Sequence, residues 1–272
     1  MSMIVPVRHI LSLSGGKDSA ALAVYMRDKV PEMEFIFHDT GKELPETYEY
    51  LDRLEAILGK KITRTTSSQT FDTWLVAYGG MIPSKQRRWC TRMLKLRPFE
   101  TYVGDDPVIN YVGLRADEDR EGYISSKPNI KTVYPFREDG ITRADVIRIL
   151  EESGLGLPTY TLWGRTRSGC FFCFYQQKVE WVRLKQNHPD LFEEAKRYEY
   201  ANTVNGEAFY WNRDESLEEL ERPERMEQII QNWEKNRERM RATRNNKTLL
   251  NILGGMNEEE EEEREGCLIC SI

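Results

Sequence analysis

Apolar residues along the chain come in short runs that stop abruptly at polar ones. "HILSLS" (9–14) breaks at Ser14-Gly15-Gly16-Lys17-Asp18-Ser19, "EFIFHDTG" (34–41) ends in Asp39-Thr40-Gly41, and "VINYVGLRADE" (108–118) runs into charge. Each run has the length and β-branched or aromatic content of a buried strand. Between them the spacing turns helical. Ala20, Ala21, Val24 and Met26 share one face of a helix over "DSAALAVYMRDKV" (18–30). "LPETYEYLDRLEAILG" (44–59) opens with Pro45 and closes with Gly59, the usual helix start and stop residues.

Strands alternating with helices predict parallel pairing and an α/β fold, a doubly wound, Rossmann-like parallel sheet. In such sheets ligands bind beyond the carboxyl ends of the strands. All three runs place their distinctive polar residues at that end. Beyond residue 160 the pattern changes to a cysteine-bearing loop and two helices broken at His188-Pro189, then a polar, mostly helical stretch over 217–250. The expected organisation is an α/β nucleotide domain over 1–160, a cysteine-loop and accessory-helix region over 161–250, and an acidic tail over 251–272.

Charge and cysteine content narrow the chemistry. The chain has 272 residues, a net charge of −6 and a pI near 5.4, and no run approaching a membrane span or a secretory signal, so a cytoplasmic protein is expected. The acidity is segregated. Glu258 to Glu263 form an unbroken block, whereas "PSKQRRWCTRMLKLRP" (83–98) carries six Lys or Arg and no acid, so an anionic polymer stays open as a partner. Five cysteines in a reducing compartment read as metal ligands or reactive thiols rather than disulfides. Their pattern is Cys90, then Cys170-Phe-Phe-Cys173, then Cys267-Leu-Ile-Cys270. Two C-x-x-C pairs suit zinc or an iron–sulfur cluster equally by spacing, with buried apolar thiols as the plainer alternative.

A strand, a glycine turn and a helix start make a ready anion site, because backbone N–H groups and the positive end of the helix dipole point outward there. Gly15 and Gly16 admit close approach of a phosphate, Lys17 adds a charge, and Ser14 and Ser19 add hydroxyls. The stretch is not a Walker A loop, which would need Gly at Leu11 and a hydroxyl residue at Asp18.

"SGGKDS" resembles the PP-loop of ATP pyrophosphatases, and the resemblance extends over roughly 8–200 to the PAPS-reductase-like branch. It implies that the loop grips the pyrophosphate of ATP, with Mg²⁺, while a substrate oxygen attacks the α-phosphate. By the same resemblance, "FHDTGKELPETYEYL" puts Asp39 and Thr40 near the adenosine. "VGLRADEDRE" sends Arg115 and Arg120 to phosphate or sulfate oxygens, leaving Lys17, Asp18 and Arg115 as the catalytic set. "RRWCTRMLKLRP" and "RSGCFFCFYQQ" are similar to the elements that bind a 4Fe-4S cluster in several members, which makes Cys90, Cys170 and Cys173 the first three ligands. Zinc is the alternative metal.

The chain departs from the cluster-type sulfate reductases in two places. Residue 89 is Trp where they carry a second adjacent cysteine, and the tail reads Glu-Gly-Cys with no histidine. The fourth iron site is then open, filled by Cys267 or Cys270, or filled by an exogenous sulfide, and the tail cysteines are otherwise mobile sulfur carriers or inert. The features are most similar to the DNA phosphorothioation branch. The implied function is ATP-dependent sulfur insertion into nucleic acid, DNA before tRNA, in which the acceptor is adenylylated and sulfur from a cysteine desulfurase is transferred through the iron–sulfur cluster. Lys85, Arg87, Arg88, Arg165 and Arg167 would meet the phosphate backbone, ordinary solvation being the alternative for such cations. The competing functions are an adenylyl or phosphoadenylyl sulfate reductase, a tRNA thiolation enzyme, and a non-enzymatic nucleotide-binding iron–sulfur sensor or scaffold.

Overall fold

The computed structural model describes residues 6–119, 122, 125, 127–200, 209–212 and 214–245. These fall into two compact units. The first is built from residues up to 78 and from 86–171; the second holds 79–85 and the described residues from 172 onward.

The first unit is a five-stranded, all-parallel sheet in the order β3-β2-β1-β4-β5, made of β1 (Arg8–Leu13), β2 (Glu34–Asp39), β3 (Ile62–Thr66), β4 (Val108–Tyr111) and β5 (Ile130–Val133). Chain order reverses between β1 and β4, so the switch point lies beside the glycine turn. The doubly wound α/β architecture expected from the sequence is the one observed.

Alternation of side chains sorts each strand between two cores. Leu11, Leu13, Phe35 and Phe37 face α1 (Lys17–Met26), α2 (Pro45–Leu58) and a later helix over Arg143–Glu152; Ile10, Ile36, Val108 and Ile130 face Phe99 and Val103 of the helix Arg97–Val103. The alanines of α1 are buried and let it lie close to the sheet. α2 begins at Pro45 and is capped by Gly59 at φ 61°, as its sequence signals predict.

Two strands escaped the sequence pattern. β3, "ITRTT", buries only Ile62 fully, and β5 is four residues long; both are edge strands, which need no apolar run. The third expected strand is shorter than its run, ending at Tyr111 rather than continuing to 118.

The second unit contains helices Lys178–Asn187 and Pro189–Tyr200, separated at His188 as the sequence indicated, and the helices Leu217–Leu220 and Pro223–Asn245. Phe172 stacks on Trp211 at 4.9 Å between ring centroids, and Trp181 and Phe192 are fully buried beside them. Glu199 is 4% exposed and accepts hydrogen bonds from the Trp211 and Leu217 N–H groups at 2.8 and 2.7 Å. No described helix is long and apolar enough to cross a membrane.

Candidate functional site

The glycine turn closes on itself through hydroxyls. Ser19 Oγ, on the first turn of α1, accepts from the Ser14 N–H at 3.1 Å, lies 3.1 Å from Ser14 Oγ, and donates to Gly16 O at 3.2 Å. Gly15 takes φ 73°, a left-handed conformation that suits glycine, and both glycines are buried. Gly16 is the N-cap residue of α1 and supplies no side-chain cap to the helix. Lys17 and Asp18, both half-buried, occupy its first two positions.

Arg115 enters from the end of β4. It is 3% exposed and donates to Asp18 Oδ1 at 2.8 Å and Asp117 Oδ1 at 3.0 Å. Gly113 lets β4 approach α1 this closely, since a Cβ there would lie 3.0 Å from Asp18 O. Of the expected set Lys17, Asp18 and Arg115, the structure brings Asp18 on the first turn of α1 and Arg115 beyond β4 into direct contact. Arg120 lies outside the described residues.

The end of β2 holds a second cluster. Asp39 Oδ1 accepts from the Gly41 N–H at 2.8 Å and from Tyr48 OH at 2.7 Å, an arrangement that shapes the turn. Thr40 Oγ1 donates to Glu43 Oε1 at 2.9 Å and lies 3.2 Å from Cys170 Sγ. Glu43 and Cys170 pair as an isolated antiparallel bridge, and the Phe171 N–H donates to Lys42 O at 2.9 Å. Glu43 is 6% exposed, its Oε2 has no hydrogen-bond partner, and burial pushes its carboxyl above the usual range, against Lys95, which lowers it. Nothing in the local sequence marks Glu43: it becomes part of the site only when a segment 127 residues away docks on it.

The structure corrects one assignment outright. Arg165, expected at a nucleic-acid surface, is 1% exposed. Its guanidinium donates to the carbonyls of Arg167, Gly169 and Cys170 at 3.1, 3.3 and 2.8 Å. A cation spent on three loop carbonyls shapes the cysteine loop and cannot meet a phosphate backbone. Lys85 and Arg87 are exposed, whereas Arg88 and Arg167 are half-buried.

The sequence also gave no sign that this loop reaches the glycine turn. Ser168 Oγ donates to Ser14 Oγ at 3.3 Å, and the buried Tyr160 OH donates to Gly15 O at 3.4 Å.

The described cysteines, Cys90, Cys170 and Cys173, are half-buried thiols. Cys90 sits in the three-residue helix Trp89–Thr91, which continues into a π-helical turn over Arg92–Leu96. Trp89, in place of a second cysteine, is 6% exposed and stacks between Phe71 and Tyr78, each at 5.1 Å. Cys170 belongs to the first unit and Cys173 to the second. A thiolate-held metal needs three or four donors in one coordination sphere. Among the described residues no group of three or more His, Cys, Asp or Glu is gathered to hold one. The thiols suit zinc or iron chemically. Cys267 and Cys270 lie outside the described residues.

Residues 8–134, just under half the chain, match the model of the phosphoadenosine phosphosulfate reductase domain. Two uncharacterized proteins of Methanocaldococcus jannaschii are 27% and 26% identical over 72% and 70% of this chain; the chain spans 42% and 48% of their lengths. An uncharacterized 37.8 kDa protein of Escherichia phage 186 is 24% identical over 70% of this chain and 74% of its own length. Among solved structures, a phosphoadenylyl-sulfate reductase from Candida auris superposes with a TM-score of 0.48 at 15% identity, covering 60% of this chain and 81% of that one. The U34-tRNA thiolase NcsA from Methanococcus maripaludis, solved with its [4Fe-4S] cluster, gives 0.41 at 16% identity over 75% and 74%.

Proposed function

We propose that this PAPS-reductase-like chain uses ATP to activate an oxygen of a nucleic acid and exchanges it for sulfur, the DNA backbone being the favoured acceptor and tRNA the next. The observation that carries the reading is the uncapped start of α1 behind Gly15 and Gly16, with a thiol-bearing segment resting on the same turn. ATP is the substrate. Its β- and γ-phosphates lie on the N–H groups of Gly16 to Ser19, with Lys17 countering their charge and Mg²⁺ entering as their counter-ion. The acceptor oxygen attacks the α-phosphorus, the bond to the β-phosphate oxygen breaks, and pyrophosphate leaves. Arg115, aimed by Asp18 and Asp117, holds the α-phosphate or the acceptor. Hydrosulfide, released by an external thiol from the persulfide of a partner such as a cysteine desulfurase, then attacks the adenylylated centre; the new bond to sulfur forms as the bond to the AMP oxygen breaks and AMP leaves. Cys170, two residues from Ser168, is a thiol that the first unit carries on the segment touching the turn.

Cys90, Cys170 and Cys173, with Cys267 or Cys270 as a fourth, are the residues to which a 4Fe-4S cluster or zinc is assigned. The test is pyrophosphate release from ATP with DNA, with tRNA, and with neither, in the presence of sulfide. Stimulation by nucleic acid that Lys17→Ala abolishes supports the proposal, and release indifferent to nucleic acid refutes it.

The similarity of residues 8–134 to the phosphoadenosine phosphosulfate reductase domain favours a second reading, reduction of adenylyl or phosphoadenylyl sulfate. Thioredoxin-dependent sulfite release would establish it. Nucleotide binding without turnover under either assay would point instead to a sensor or scaffold.

A further inference from the structure

We infer that Ser168 is a phosphate-binding residue lent to the glycine turn by the cysteine-bearing segment, so that filling of the turn is felt at Cys170. The inference rests on the nucleotide reading above and adds to it a residue outside the loop motif.

Ser168 stands where a phosphate approaches. A Cβ built on Gly16 would lie 2.8 Å from Ser168 Oγ and 3.2 Å from Ser14 Oγ, so two hydroxyls line the space that Gly16 leaves open. Ser14 Oγ is contacted by the Gly16 N–H at 3.3 Å, Ser168 Oγ at 3.3 Å and Ser19 Oγ at 3.1 Å. Three hydroxyls and one N–H thus crowd a single spot and satisfy one another. Hydroxyl hydrogens rotate freely, so an arriving phosphate oxygen draws them away from this mutual arrangement and receives several donors at once.

The path from Ser168 to the thiol is short and stiff. Only Gly169 separates Ser168 from Cys170, and Arg165 clamps the carbonyls of Arg167, Gly169 and Cys170. Tyr160 fixes the front of the segment to Gly15 O, while the bond from Phe171 N–H to Lys42 O and the contact between Thr40 and Cys170 fix its rear to the end of β2. A pull on Ser168 is therefore transmitted to Cys170 instead of being absorbed by a slack loop.

ATP and AMP titrations with the wild-type chain and Ser168→Ala separate the outcomes. A hydrogen bond to a charged group contributes about 1.5 kcal/mol or more, so Ser168→Ala should weaken ATP about tenfold and leave AMP, which lacks the β- and γ-phosphates, within about twofold. Hydrogen exchange across 165–171 should slow when ATP binds the wild type and stay unchanged in Ser168→Ala saturated with ATP. Equal weakening of ATP and AMP, an unchanged ATP affinity, or equal protection of the segment in both proteins overturns the inference. If the wild type binds neither nucleotide, the nucleotide reading itself fails, which is a separate and recognisable result.

Discussion

Replacing Gly15 by alanine probes the turn on which the site depends, and the structure says how the cost divides. Gly15 has φ 73°, and a residue with a Cβ pays about 1–2 kcal/mol to sit in that left-handed region. The added Cβ would also fall 2.4 Å from Thr47 Cγ2, and Thr47 is fully buried, so overpacking adds about 1–3 kcal/mol. Gly15→Ala should therefore destabilise the chain by roughly 2–5 kcal/mol in urea unfolding. Thr47→Ser removes Cγ2 and leaves Thr47 Cβ at 3.7 Å from the new methyl, an ordinary contact. The double variant should recover the overpacking part and retain about 1–2 kcal/mol of backbone strain, a coupling of about 1–3 kcal/mol. Additivity of the two substitutions within about 0.5 kcal/mol would refute the described approach of α2 to the turn.

Trp89→Ala, which empties the stack between Phe71 and Tyr78, should cost about 3–5 kcal/mol by the same measurement. Ser12 Oγ, both polar atoms of Asn110 and Thr132 Oγ1 are buried on one sheet face without hydrogen-bond partners, so Thr132→Val, nearly isosteric, should leave stability unchanged or raise it by about 1 kcal/mol; a loss above that size would mean the hydroxyl is satisfied. Burial raises the Glu199 carboxyl from its ordinary 4.5 to about 7. A raised folded pKa favours the protonated folded state, so stability is full below pH 4.5 and falls by about 3 kcal/mol as pH rises to 7, then levels off. Glu199→Gln should flatten that window, which urea midpoints at successive pH values would show.

The central strands and the glycine turn were legible because their signals are local. A run such as "HILSLS" is buried on both faces and cannot read as anything but core, and glycines beside a helix start carry their meaning within six residues. β3 and β5 were not legible: an edge strand with one fully buried residue, or four residues in all, is specified by its neighbour's hydrogen-bonding groups and not by its own pattern.

The same division runs through the site. The sequence alone determined that a glycine turn joins the first strand to a helix and that thiols are present further along the chain. Which side chains surround those groups was decided only by tertiary structure. Ser168 meets Ser14 across 154 residues, Tyr160 meets Gly15 across 145, and Cys170 meets Thr40 across 130. Arg165 looks from its sequence like a surface cation and is in fact walled in by its own loop. Burial and partnership over such separations depend on where the whole chain packs, and no local window of residues encodes that.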